Sequence, residues 1–431
     1  MMRTSILLAA TGLALLATPA TAHAQSLGER VARAPADQAA AFTFPARSGV
    51  CGGSHFVRYG TSVTVSRGSY SYTGTSESHP CESGPVRVTL LRAGTQVVGL
   101  EVGVGADDSG RQVADLGAVT GAAAAEYLLG VARTIEGRPG QAAIFPAMLA
   151  DNVDNTDALL ALARNRDLAR QTRQSALTWL GREAETLPAS RASGVTATLV
   201  QIARDESDAP AIRQHAMNVL GRGTPAPGVT VLAELASGAD PWLARTATTA
   251  LASSGDPRAR AYLREVARAT NRPDGVRAAA LRGLGRSYAT AQDLALLREI
   301  YPTLTTRAER ESVLASIGEA GGAENVRWLM SVARDENQEA AAVSRAIRAA
   351  AQAGASSTDL AALYDALSSR APRTTIIGLL SERGDRAAID KLLTIARSDT
   401  DATLRRAAIQ RLSSSTDPRV RGALAELVAA R

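Results

Sequence analysis

A ten-residue frame returns eight times in the C-terminal two thirds of this 431-residue chain, and it limits the possible folds more than any other feature. Its clearest copy is Val276-Arg277-Ala278-Ala279-Ala280-Leu281-Arg282-Gly283-Leu284-Gly285. The frame appears again from Thr172 to Gly181, from Ile212 to Gly221 and from Leu243 to Ala252. Further copies end at Gly318, Ala353, Ser381 and Ser413. The last positions lie 40, 31, 33, 33, 35, 28 and 32 residues apart. A period of this size marks a stack of supersecondary units, each too small to bury its own apolar face without its neighbours.

Each copy follows a second apolar segment. Leu162-Ala163-Arg164, Ile202-Ala203-Arg204, Val266-Ala267-Arg268, Val332-Ala333-Arg334 and Ile395-Ala396-Arg397 end such segments. Their apolar residues fall three and four apart, as in Leu392, Ile395 and Ala396, which lines one helix face. Asp240-Pro241, Asp256-Pro257 and Asp417-Pro418 carry helix-start chemistry, because Asp caps free amides and Pro is tolerated in the first turn. Two helices per repeat, the second rich in Ala, predict an α-solenoid of about eight helix pairs over residues 155–431, in a mainly α chain.

The Val-Arg-x-x-Ala…Leu-Gly frame and the step Gly255-Asp256-Pro257-Arg258-Ala259 resemble the HEAT-repeat family, particularly short bacterial repeats of the phycocyanobilin-lyase kind. The resemblance implies a helical array and says little about activity. Hydroxylases of HEAT type place His-Glu pairs on their repeats, and this chain has no His-Glu step. The lyase-like members act on a bilin, and nothing in the chain implies one. Two departures stand out: copies six to eight lack the terminal Gly, and copy five has Glu309 where an apolar residue is expected.

The frame arginines Arg173, Arg213, Arg277, Arg310, Arg345, Arg373 and Arg405 allow two readings. They form a ladder facing an acidic ligand, or they pair with loop acids of adjacent repeats and fix the stacking; the second is the expectation. The frame places Gln174, Gln214, Arg245, Arg282 and Glu311 on the exposed face of the second helices as candidate binding residues.

The N-terminal third has a different texture. Residues 1–24 read as a cleavable signal peptide: Arg3, an apolar run from Ile6 to Leu16, and Ala22-His23-Ala24 as the cleavage step. That run is too short to span about 30 Å of hydrocarbon, so no membrane insertion is expected after cleavage, and a periplasmic or secreted location is. Residues 25–41 are expected to form a loose linker, 42–110 a small β domain, and 111–154 capping helices. The alternating runs Val86 to Leu90 and Gln96 to Val102, split by Arg92-Ala93-Gly94-Thr95, read as a hairpin. Six of the 15 aromatic residues (Phe42, Phe44, Phe56, Tyr59, Tyr70, Tyr72) lie in this domain and are expected to fill its core.

Cys51 and Cys81 are the only cysteines. In an oxidising compartment they are expected to form a disulfide. The alternative is a Cys2His2 metal site of Cys51, His55, His79 and Cys81, in an enzyme or enzyme accessory. The small domain also resembles cysteine-bearing domains that precede such arrays in bacterial exported proteins, a resemblance that carries no activity.

Charge and motifs remove other functions. Residues 25–150 hold ten basic and ten acidic side chains; residues 151–431 hold 37 and 32, with signs interspersed, which is no track along a phosphate backbone. The chain contains a single lysine, Lys391, and no Gly-Lys-Ser/Thr step for a phosphate loop. It has no Gly-x-Ser-x-Gly elbow, no Ser-x-x-Lys and no His-Glu-x-x-His. His215 falls on a frame position and is expected to pack. No cofactor is implied. The sequence therefore predicts an exported, non-enzymatic scaffold that binds a protein or peptide on the inner surface of the solenoid, the curved surface lined by its second helices; a self-assembling envelope protein is the third reading.

Overall fold

The computed structural model describes residues 25–60, 62–65, 70–71, 81–105, 112–222, 227–272, 274–286, 289–335, 337–415 and 417–429. The signal-like segment 1–24 and His79 lie outside them. The chain divides into two compact units, residues 1–155 and 156–431.

The N-terminal unit starts with helix α1 (Leu27–Arg33), capped by Ser26, whose hydroxyl accepts from the Glu29 amide. This corrects the expected linker: Leu27 and Val31 lie one turn apart and are both buried, which is enough to hold a seven-residue helix. Strands β1 (Ala39–Phe44), β2 (Val50–Gly53), β3 (Phe56–Tyr59), β4 (Ser62–Val65), β5 (Tyr70–Ser71), β6 (Val86–Ala93), β7 (Gln96–Val104) and β8 (Val113–Ala118) follow, then helices α2 (Gly121–Thr134) and α3 (Arg138–Ala147). One sheet has the order β7-β6-β1-β8, with β8 parallel to β1; the other has the antiparallel order β2-β3-β4-β5. Strand β8 lies beyond residue 110, inside the stretch expected to hold only capping helices.

The hairpin expected between residues 86 and 102 is present as β6 and β7, joined at Gly94-Thr95 with Gly94 at a φ of 63°, where a side chain would be strained. Alternation places Val86, Val88 and Leu90 in the core, each fully buried, beside Phe42 and Phe44 on β1. Tyr127 of α2 stands edge-on to Phe42, ring centres 6.1 Å apart. Phe42 and Phe44 are thus core residues, whereas Phe56 and Tyr59 are half-buried and Tyr72 lies outside the described residues.

Cys51 on β2 and Cys81 are joined by a disulfide, Cα atoms 5.2 Å apart. Closing a separation of 30 residues stabilises this unit by about 3–4 kcal/mol in the chain-entropy account. The bond corrects the metal alternative, because neither sulfur is left as a thiolate for a metal shared with His55 and His79.

The second unit is an α-solenoid of eight helix pairs followed by one more helix. The pairs are α4 (Thr156–Arg164) with α5 (Arg170–Ala184), α6 (Ala189–Arg204) with α7 (Pro210–Arg222), α8 (Pro227–Ala236) with α9 (Pro241–Ala252), and α10 (Pro257–Arg268) with α11 (Asp274–Leu284). They continue with α12 (Ala291–Ile300) and α13 (Arg307–Ala320), α14 (Ala323–Arg334) and α15 (Ala340–Ala353), α16 (Ser357–Ala366) and α17 (Arg370–Arg383), and α18 (Arg386–Ser398) and α19 (Ala402–Leu412). Helix α20 (Pro418–Ala429) ends the array. The frame lies on the second helix of each pair. Asp240 and Asp256 cap α9 and α10 through their carboxylates, with Pro opening each helix. No helix among the described residues is long and apolar enough to cross a membrane.

Candidate functional site

The second helices α5, α7, α9, α11, α13, α15, α17 and α19 pack successively against one another. Small residues make the close approach possible. A Cβ added at Gly221 would meet the Ala250 carbonyl oxygen at 2.7 Å, one at Gly283 the Ala252 Cβ at 2.4 Å, one at Gly285 the Ser316 Cβ at 2.1 Å, and one at Gly318 the Ala349 Cα at 3.0 Å. In each case the last frame position of one repeat faces the third-last position of the next, and one of the two is glycine. This contact also corrects the register of copy six. Gly318 faces Ala349, so Ala349 is its third-last position and the frame ends at Ala351, two residues before Ala353. Buried Val343 then occupies the arginine position, and Arg345 is exposed on the outer face.

The frame arginines are internal staples. Arg173, Arg213 and Arg277 are 4%, 8% and 6% exposed. Each donates its Nε to a carbonyl ten residues earlier, in the last turn of its own first helix: Ala163 at 2.9 Å, Ala203 at 2.9 Å and Ala267 at 3.0 Å. Those carbonyls have no partner within the helix, so the guanidinium supplies one. The other edge of the guanidinium turns to an acid of the following repeat. Arg173 holds Asp208 through two bonds of 2.8 and 2.5 Å, Arg213 approaches Asp240 at 3.9 Å while lying 4.3 Å over the Trp242 ring, and Arg277 donates to Glu309 at 3.1 Å. Arg373 reaches Asp399, which also accepts from the Tyr364 hydroxyl at 2.7 Å. Glu309 is therefore no break in the pattern: the buried carboxylate takes the apolar position because Arg277 is waiting for it. Arg310 and Arg405 donate to nearby carbonyls, of Leu304 at 3.0 Å and Asp399 at 2.6 Å.

Burial of these pairs couples stacking to pH. Hydrogen bonding from Arg173 holds the Asp208 carboxyl below its ordinary range, outweighing the opposing effect of burial. Its contribution is present above the unfolded carboxylate value of about 3.9 and is lost as pH falls through the lower folded value. The melting temperature is expected to fall more steeply below about pH 4 in the native protein than in Asp208→Asn, measured by circular dichroism across an acid series.

The second helices also carry side chains that face solvent. Gln214, Arg245 and Arg282 are exposed there, while Gln174 and Glu311 are half-buried. Gln174, Gln214, Arg245 and Glu311 share one frame position on α5, α7, α9 and α13, and Arg282 lies one turn further along α11. Glu311 accepts from Arg307 at 2.7 Å. His215, half-buried, meets the Thr178 hydroxyl through Nε2 at 2.9 Å, and burial lowers its pKa, so it joins α5 to α7 as a neutral group. The eight second helices carry 18 basic and six acidic side chains, a net +12, against 13 and nine, a net +4, on the eight first helices.

The N-terminal unit holds a cleft of about 800 Å³ that the sequence did not reveal, lined by Leu27, Gln96, Val97, Tyr127, Gly130 and Val131 among others. Burial raises the Tyr127 hydroxyl to about 12, so it stays protonated. Among the described residues no group of three or more His, Cys, Asp or Glu is placed to hold a metal ion.

Residues 228–315 match the family model for HEAT repeats. HEAT repeats are matched over that part of the array. The matched stretch begins in α8 and ends in α13, and it includes the Gly283–Ala252 contact and the Arg277–Glu309 pair. No curated protein matches the chain. Among solved structures, human deoxyhypusine hydroxylase in complex with glycerol is 18% identical over 60% of this chain and 95% of its own, with a TM-score of 0.26. The complex of CpcE and CpcF of phycocyanin lyase from Nostoc sp. PCC7120 is 17% identical over 64% and 95%, with a TM-score of 0.25. Kap121p is 16% identical over 68% of this chain and 36% of its own, with a TM-score of 0.39.

Proposed function

We propose that this chain is an exported, non-enzymatic scaffold that binds a protein or peptide partner on the outward face of its second helices. One observation carries the reading: the groups that hold the array together and the groups that face solvent on the second helices are different sets. The staples Arg173, Arg213 and Arg277 are buried, whereas Gln214, Arg245 and Arg282 are exposed. Many weak contacts on successive helices suit a polypeptide ligand better than a small molecule, for which an enclosed pocket with a few convergent polar groups is the usual site. The signal-like residues 1–24 and the disulfide in the first unit support export into an oxidising compartment. Photo-crosslinking residues placed at Gln214 and Arg245, with Arg268 and Arg327 on the first helices as references, test the reading in the cells that make the protein. A polypeptide captured from the second-helix positions alone is the expected result.

A further inference from the structure

The middle of the array carries a distinct charge pattern on its second helices. On α9, α11 and α15 four arginines are exposed on the second-helix face: Arg245, Arg282, Arg345 and Arg348. None of them forms an ion pair with another described side chain. Each leans along the stacking direction where its contacts are defined. The Arg245 side chain lies over the first turn of α11, its Cδ 3.3 Å from where a Gly275 Cβ would stand, and Arg282 reaches the Ser312 hydroxyl of α13 at 3.5 Å. Arg345 and Arg348 are three residues apart on α15, so they share one helix face. The corrected register puts Arg348 at the same frame position as Arg282, two repeats on.

On these helices the half-buried Thr249 of α9 and Ala315 of α13 are small and uncharged, and Thr246 of α9, Ala278 and Ala279 of α11 and Ser312 of α13 are small and buried. Glu311, half-buried on α13, is engaged by Arg307 on its own helix. A row of guanidinium groups over a floor of Ala, Ser and Thr offers charge at intervals and room for a chain to lie between. Guanidinium presents paired donors in the spacing of a carboxylate, which a compact ammonium does not.

We propose that the face of α9, α11, α13 and α15 binds an acidic polypeptide segment, its Asp and Glu side chains pairing with Arg245, Arg282, Arg345 and Arg348. This rests on the scaffold reading and adds the class of partner. The test uses the full mature chain and a fluorescein-labelled peptide alternating Glu and Gly, followed by fluorescence anisotropy at low and moderate salt. A variant with all four arginines changed to Ser is compared with one in which exposed Arg204, Arg268, Arg327 and Arg334 of the first helices are changed to Ser. Both lose the same charge, and both are checked for an unchanged melting temperature.

The second-helix variant is expected to bind about tenfold more weakly, since four exposed ion pairs are each worth little, and native binding is expected to weaken with salt. The first-helix variant is expected to bind as the native chain does. Equal loss in both variants would reduce the effect to net charge and overturn the proposal. So would binding of inorganic polyphosphate to this face without binding of the Glu peptide. If crosslinks locate a partner on the second helices but its contact segment is not acidic, the scaffold reading stands and this inference falls.

Discussion

Replacing Asp293 by Ala is expected to destabilise the array by about 3–5 kcal/mol, the usual cost of removing one partner from a buried ion pair. Asp293 is fully buried in the first turn of α12. One carboxylate oxygen accepts from Arg260 at 2.9 and 2.7 Å, the other from Arg264 at 2.6 Å. The same carboxylate closes a capping box with Thr290, taking the Thr290 amide at 2.9 Å. Burial by itself pushes this carboxyl up, but the Thr290 amide, Arg264, the Thr290 hydroxyl and Arg260 together outweigh it and hold the group ionised. Alanine removes the acceptor of the Thr290 amide, half of the capping box, and leaves the largely buried Arg260 without its carboxylate. Asp293→Asn keeps a cap acceptor and is expected to recover only part of the loss. Urea unfolding followed by circular dichroism measures both, and hydrogen exchange is expected to place the opening at α10 to α12. A midpoint shifted as little as for an exposed Asp would contradict the account.

The second large effect belongs to Gly285. Its missing Cβ leaves room for Ser316, whose Cβ and Cα would lie 2.1 and 2.5 Å from a substituent. The Ser316 hydroxyl is already committed, reaching the Leu281 and Arg282 carbonyls of α11 at 3.1 and 3.2 Å. Gly285→Ala therefore forces α11 and α13 apart, with an expected loss of about 1–3 kcal/mol from overpacking. Gly194 is the control. It is helical and exposed, with nothing within 4 Å of an added Cβ, so Gly194→Ala is expected to stabilise by about 0.5–1 kcal/mol. The same substitution with opposite signs, just past the end of α11 and inside α6, separates close approach from helix propensity.

These two residues show what the sequence reveals and what it hides. Gly285 was visible as the end of a repeating frame, because stacking demands a small residue at a fixed position in each copy. The role of Asp293 was not, since its partners lie 33 and 29 residues away on another helix and no local pattern announces them. Glu309 looked like a flaw for the same reason: Arg277 is 32 residues earlier. Copy six was misaligned by two residues because its helix is mostly Ala, and an Arg before an Ala run imitates the frame at Arg345. Only the contact of Gly318 with Ala349 fixes the register. In the first unit, the alternation of β6 and β7 was legible, whereas β8, Val-Ala-Asp-Leu-Gly-Ala, does not alternate and buries none of its residues fully. Helix α1 rests on just two buried side chains, which a composition reading takes for a linker.

Of the candidate binding residues, Gln214, Arg245 and Arg282 are exposed as expected, whereas Gln174 and Glu311 are half-buried, and Ala278, the neighbour of the frame arginine Arg277, is buried. The cleft beside Tyr127 had no sequence signal, because its walls come from α1, α2 and the β6–β7 turn, which are distant in the chain.

The central claim is that the outward face of the second helices is the partner surface. Photo-crosslinking from Gln214 and Arg245, against Arg268 and Arg327, tests it most directly, with captured species identified by mass spectrometry. The account predicts one recurrent polypeptide from the second-helix positions and background from the others. Capture of that polypeptide equally from the first helices, or of nothing from either, would contradict it.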